Sequence, residues 1–302
     1  MRIAVMGTGG IGGYFGTRLA LGGSDVVFIA RGAHLAAIRE NGLRVESPLG
    51  DLHLAQPQVS NDPADLGSVD LVLFGVKLWD TETAARAVAP LVGPDTAVVS
   101  FQNGVQKDDV LRRVLGGRAV MGGVAYIAAT IAKPGVIRHT GSMQKLVFGE
   151  YDGTRSARVD AFLDACRRAG IDTEISADIR RAIWEKFVFL VGLSGTTTTI
   201  RQPIGPIRSD PQTRAFLLDA MREVVAVGRA EGVPLAEDFA EQQQSFCDGL
   251  PADMTSSMHR DLERGGRIEV RWLSGDVVER GKAAGVATPV NRAIYDILAL
   301  YA

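Results

Sequence analysis

Gly7-Thr8-Gly9-Gly10-Ile11-Gly12 lies between an apolar run, Arg2–Met6, and an amphipathic stretch, Ile11–Leu21. A G-x-G-x-x-G at a strand-to-helix junction has a specific mechanical reading. The first glycine makes a tight turn, the second lets backbone approach a pyrophosphate, and the third packs helix on strand. The helix N-terminus adds amide donors and the positive end of its dipole. The motif predicts a dinucleotide-binding α/β fold at the start of the chain. It assigns Gly7, Thr8, Gly9, Gly10, Ile11 and Gly12 to the cofactor. A glycine-rich turn without a ligand is the competing reading, and the strand-loop-helix setting weighs against it.

The pattern downstream agrees. Asp25–Ala30, Leu71–Val76 and Thr96–Ser100 read as buried parallel strands. Ala33–Asn41, Thr81–Leu91 and Val105–Leu115 read as helices between them, so a parallel sheet covered on both faces is expected. Leu43–Glu46 and Leu52–Ala55 form a predicted hairpin. Ala119–Ala125, Gly135–Thr140 and Lys145–Gly149 are three predicted strands, with a turn at Lys133-Pro134-Gly135. A helix over Ala157–Ala169 and a strand over Ile171–Ile175 close this half. After Ser176 helical patterns dominate: Ala177–Thr199, Pro211–Glu231, Ala236–Cys247, Arg271–Ala284 and Pro289–Tyr301. Asp210-Pro211 and Thr288-Pro289 are helix-start signals. The chain of 302 residues is long enough for about two domains of roughly 150 residues. The expected division is a Rossmann-type domain over 1–175 and an all-helical, substrate-binding domain over 176–302.

Composition closes off other classes. At 46% hydrophobic and 23% charged residues the chain is not disordered. A net charge of −2 leaves no basic footprint for nucleic acid. No apolar run approaches the ~20 residues of a membrane span, and no leader pattern precedes the glycine loop, so a cytoplasmic protein is expected. Cys166 and Cys247 make no disulfide framework and no metal motif. His34, His53, His139 and His259 are scattered without catalytic or metal spacing, and structural roles are expected for them. An apolar helical face in the second half would serve a homodimer as well as a core, and periodicity does not separate the two.

Cofactor preference is read at the end of the second strand. NAD sites carry Asp or Glu there for the ribose 2′-hydroxyl. This strand ends Ile29-Ala30-Arg31, with no acid. Arg31 suits a 2′-phosphate through charge-assisted hydrogen bonds, so NADP is expected. The alternative is a solvated surface arginine.

Of 33 basic residues only six are lysines: Lys77, Lys107, Lys133, Lys145, Lys186 and Lys282. A lysine at a special position therefore stands out. Lys77 and Asn103 each follow a predicted strand at its carboxyl end, where open α/β sheets bind ligands. Lys186 follows Trp184 early in the first helix of the second half.

Several stretches together resemble the ketopantoate reductase (2-dehydropantoate 2-reductase) family. They are Gly7–Gly12, Ile29-Ala30-Arg31-Gly32, Val76-Lys77-Leu78-Trp79, Gln102-Asn103-Gly104, Trp184-Glu185-Lys186, Ser256-Ser257-Met258 and Glu269, in that order along the chain. The resemblance implies a Rossmann domain followed by a helical domain like that of 6-phosphogluconate dehydrogenase, with substrate in the cleft. It implies NADPH-dependent reduction of a 2-oxo acid, ketopantoate in pantothenate biosynthesis. By the same resemblance Lys186 is the general acid, Glu269 binds the substrate hydroxyl and Ser257 its carboxylate. Lys77 and Asn103 serve both substrate and cofactor.

The resemblance has departures. Family members commonly carry asparagines four and eight residues after the lysine, positions that share one helix face. Here they are Leu190 and Ser194, both counted with the substrate-binding positions. An Asp and an Asn after the glutamate are replaced by Arg271 and Ser274. A pocket with fewer hydrogen-bonding groups would admit a bulkier or less polar 2-oxo acid or ketone. Leu190 as plain helix core is the alternative. Two other readings compete with the reductase: a non-catalytic NADP-binding sensor or scaffold, and a decarboxylating hydroxyacid dehydrogenase.

Overall fold

Ten strands, a computed structural model of residues 1–302 shows, all lie in the first part of the chain. They are β1 (Arg2–Met6), β2 (Asp25–Ile29), β3 (Leu43–Glu46), β4 (Leu52–Leu54), β5 (Gln58–Ser60), β6 (Leu71–Phe74), β7 (Ala97–Ser100), β8 (Val120–Lys133), β9 (Val136–Gly149) and β10 (Asp172–Ile175). The helices among them are α1 (Gly10–Leu21), α2 (Gly32–Asn41), α3 (Thr81–Val88), α4 (Lys107–Leu115) and α5 (Ala157–Arg168). The second part holds α6 (Ile179–Ile200), α7 (Ile204–Ser209), α8 (Pro211–Ala230), α9 (Phe239–Asp248), α10 (Ser257–Glu263), α11 (Ser274–Ala284) and α12 (Pro289–Leu298).

The strands form one sheet in the order β4-β3-β9-β8-β7-β6-β1-β2-β5, with β10 beside β9. The run from β7 to β5 is parallel, as the alternation of strand and helix requires. The sheet is mixed, however, because β8 and β9 pair antiparallel, as do β3 and β4. The three strands expected over 119–149 are two long ones. Register shifts at Ile127/Ala128 and Ile131/Lys133 break the alternation that would have marked each as continuous. Pro134-Gly135 makes the turn between them, with Gly135 at φ +77°.

Side chains alternate across the central strands. Ile3, Val5, Leu71, Leu73, Ala97 and Val99 join one apolar core, with Tyr14, Phe15 and Phe162 from α1 and α5. Ala4, Met6, Val72, Phe74 and Val98 join another, with Ala84, Val88 and Leu111 from α3 and α4. Both faces of the sheet are thus covered, which explains why these strands read as unbroken apolar runs.

The chain divides into two compact units. One comprises Met1–Gln102 and Lys107–Ala182, the other Asn103–Gln106 and Ile183–Ala302. The change of texture near residue 176 marks the end of β10. The first unit continues into α6 because Ile179 packs on Gly122 of β8, leaving no room there for a Cβ. In the second unit, Asp210 caps α8 by accepting from the Gln212 and Thr213 amides, at 3.0 and 2.8 Å. α12 starts at Pro289 as expected, but Thr288 does not cap it. The Glu223 carboxylate does so from α8, accepting from the Val290 and Asn291 amides at 2.7 and 2.8 Å. No helix is long and apolar enough to cross a membrane.

Candidate active site

The glycines of the first loop are not equivalent. Gly7 has φ +96°, and a Cβ there would lie 2.8 Å from Val76. A Cβ on Gly12 would overlap the Gly7 carbonyl, and one on Gly10 the Ala129 carbonyl. The chain's own packing therefore demands these three. It makes no such demand of Gly9, whose φ is −82° and whose added Cβ would meet nothing within 4 Å. That open space is what the second glycine of a phosphate cradle leaves for its ligand. α1 has no side-chain cap and no acid in its first turn, so its leading amides can serve an outside acceptor. The loop thus fits a dinucleotide pyrophosphate. Gly9→Ala is expected to keep or slightly raise thermal stability, since Ala has less conformational freedom to lose. It should weaken dinucleotide binding by roughly tenfold or more, the effect of a ~1–3 kcal/mol steric overlap. A calorimetric titration beside a melting curve checks both.

Arg31 stands at the end of β2 as the N-cap residue of α2. It is exposed, and no acid occupies the first turn of that helix. Lys77 lies in the loop between β6 and α3, its Nζ 5.6 Å from the centre of the Trp79 ring. Gln102 supports this loop from the end of β7. Its Nε2 donates to the Val76 carbonyl and to Thr81 Oγ1, both at 2.9 Å, and its Oε1 accepts from Ser100 Oγ.

In the second unit the Lys186 ammonium donates to Asn103 Oδ1 at 3.0 Å. Two motifs 83 positions apart thus meet through their side chains. The same short segment reaches a third motif, because Gln106 Nε2 donates to the Trp272 carbonyl at 3.3 Å. Trp272 closes a 3-10 turn that begins at Glu269, which is 8% exposed. Glu269 is therefore a buried carboxyl group rather than a solvated helix residue. Trp184 is buried, edge-on to Phe187 at 5.7 Å, and anchors the helix that carries Lys186.

Further along α6, Leu190 is only half-buried while Ser194 is fully buried. Ser194 Oγ has no hydrogen-bond partner, nor does Ser274 Oγ at the start of α11. Ser257 opens α10 and is exposed. Its neighbour Ser256 is the cap, accepting from the His259 amide at 3.0 Å, which leaves the Ser257 hydroxyl free of that task.

Sequence reasoning missed Lys107. Its ammonium is 1% exposed and donates to Asp108 Oδ2 at 2.8 Å and to the Ser100 and Gly123 carbonyls at 3.0 and 3.3 Å. Tyr151 donates to the same Asp108 oxygen at 2.6 Å. Burial and the Asp108 charge push the Tyr151 phenol well above its usual range, so it stays a donor. The cluster ties the end of β7 to the first turn of α4 and the start of β8. No group of three or more His, Cys, Asp or Glu side chains is placed to hold a metal.

Residues 3–153 match the family model "Ketopantoate reductase PanE/ApbA", and residues 178–302 match its "C terminal" counterpart. The chain belongs to the ketopantoate reductase family. The two matches take in every motif above, from Gly7 to Asn103 in one and from Lys186 to Glu269 in the other. The chain is similar to a 2-dehydropantoate 2-reductase of Halobacterium salinarum, 35% identical over 99% of this chain and 98% of that one. It is also similar to an uncharacterized oxidoreductase, YkpB, of Bacillus subtilis, 30% identical over 100% and 99%. A crystal structure of a PanE/ApbA family ketopantoate reductase from Ralstonia eutropha superposes with a TM-score of 0.91 at 35% identity, covering 100% of this chain and 98% of that one. Ketopantoate reductases are oxidoreductases, and a nicotinamide cofactor belongs with that assignment.

Proposed function

We propose that this protein is a cytoplasmic NADPH-dependent 2-oxo acid reductase, converting 2-dehydropantoate to pantoate in pantothenate biosynthesis. The observation that carries the reading is the 3.0 Å contact between Lys186 Nζ and Asn103 Oδ1. When bound, a reduced nicotinamide supplies the hydride. The residues of the chain must then meet the negative charge that grows on the carbonyl oxygen. Lys186 gives that oxygen its proton, and Asn103 holds the ammonium in place for it. Glu269 accepts a hydrogen bond from the resulting hydroxyl. Ser257 binds the carboxylate end of the substrate, Lys77 contributes positive charge toward substrate and cofactor, and Asn103 also serves the cofactor.

NADP rather than NAD is supported by what surrounds Arg31: an exposed guanidinium at the end of β2, and no acid in the turn that follows. Arg31→Ala is expected to raise the NADPH Kd by about ten- to a hundredfold, from the ~1.5–3 kcal/mol of a hydrogen bond to a charged group. NADH binding should change little. Equal losses for both cofactors would remove Arg31 from the 2′-phosphate.

Leu190 supports a second reading, a reductase of the same chemistry for a bulkier or less polar 2-oxo acid. Its side chain is not part of the fully buried core, so it is available to a ligand on the face that carries Lys186. Turnover of a set of 2-oxo acids graded in side-chain size, with NADPH, separates the two readings. The first expects the highest kcat/KM with 2-dehydropantoate, and the second expects it with a larger acid.

A further inference from the structure

We infer that His34 is a positioning residue for the dinucleotide site. The inference rests on reading the glycine loop as that site. His34 sits in the first turn of α2, half-buried, and joins two distant backbone segments. Its Nδ1 accepts from the Gly135 amide in the β8–β9 turn at 3.0 Å. Its Nε2 faces the Thr8 carbonyl in the glycine loop at 2.8 Å. An amide only donates and a carbonyl only accepts, so the partners fix the tautomer. The ring is neutral, with its proton on Nε2, donating to Thr8. Burial also pushes the imidazole below its usual titration range, in the same sense.

Holding the Thr8 carbonyl has a consequence one atom further on. The Thr8 C=O and the Gly9 N–H share a planar trans peptide and point in opposite directions. Fixing the oxygen on His34 therefore aims the Gly9 N–H away from the ring. That amide donates to no acceptor of the chain, and the space beside Gly9 is open. Thr8 is held on its other side too, since its amide and its Oγ1 both donate to the Ile29 carbonyl, at 3.2 and 3.0 Å. Ile29 ends β2, and Arg31 is the N-cap residue of α2. His34 thus ties the donor of the phosphate loop to the helix that Arg31 precedes, and braces both on the β8–β9 turn.

Two variants separate the two bonds. In His34→Asn the amide oxygen stands near the Nδ1 position and can still accept from Gly135, but nothing reaches Thr8. In His34→Gln the amide nitrogen stands near the Nε2 position and can still donate to Thr8. Direct NADPH titration by calorimetry is expected to show binding weakened roughly five- to tenfold in the Asn variant, the range for one net hydrogen bond. The Gln variant should stay within about twofold of wild type by the same measure. A merely structural ring would weaken both variants alike, in step with their melting temperatures. Wild-type affinity in the Asn variant, or equal losses in both, overturns the inference. If the wild-type protein binds neither NADPH nor NADH, the reading of the loop fails and the inference falls with it.

Discussion

Replacing Lys186 with alanine is expected to lower kcat by about 10²–10⁴, the range for a positioned general acid. NADPH affinity measured by titration should stay close to wild type, because the dinucleotide loop belongs to the other compact unit. The size of the effect follows from the chemistry. Reduction of a ketone leaves charge on oxygen, and without a donor within hydrogen-bond reach that charge must be met by water. Lys186→Arg is the informative companion. It restores the positive charge and can still meet Asn103, yet guanidinium does not readily give up a proton. It should recover substrate binding more than kcat. Full activity in the alanine variant would remove Lys186 from the reaction.

The second large effect is on stability. Lys107→Met should destabilise the first unit by about 3–5 kcal/mol, as expected when one partner of a buried ion pair is removed. Lys107 and Asp108 are 1% and 2% exposed as side chains, so water cannot take the place of the lost ammonium. Asp108 would keep only Tyr151 as a donor, and its other oxygen already lacks a partner. The Ser100 and Gly123 carbonyls would lose their shared donor. Thermal melting should fall by about 10 °C, at roughly 2–4 °C per kcal/mol for a unit of this size. The double variant Lys107→Met, Asp108→Leu should regain most of the loss, since an apolar pair in place of a buried ion pair is often neutral. A double variant as unstable as the single one would show that the carbonyl contacts, not the stranded carboxylate, dominate.

Lys107 also shows how the sequence can be read and under-read. Lysine is scarce in this arginine-rich chain, and that scarcity singled out Lys77 and Lys186. The same signal applied to Lys107, but its acceptors are main-chain carbonyls and its immediate neighbour, which no spacing rule marks. The parallel strands and the helices beside the glycine loop were legible because their faces are buried on both sides. β5 is only three residues long and α7 only six, too short for a periodic signal to form. The two long strands β8 and β9 were read as three because irregular pairing interrupts their alternation. The site followed the same division. Individual motif residues stood out by type and position. Their assembly did not, because Asn103–Gln106 leaves the unit that precedes and follows it to join the other. The contact from Asn103 to Lys186 is a product of that topology. His34 was passed over for a related reason: a lone histidine has no pattern, and its meaning lies in two backbone groups far from it in sequence.

The most direct test of the account is steady-state oxidation of NADPH by the purified protein with 2-dehydropantoate beside a panel of other 2-oxo acids, with the product identified. NADPH consumption matched one for one by the 2-hydroxy acid is the expected result, slowed by about 10²–10⁴ in Lys186→Ala. Tight NADPH binding with no turnover of any 2-oxo acid would contradict it, and would leave a dinucleotide-binding protein without the reductase chemistry.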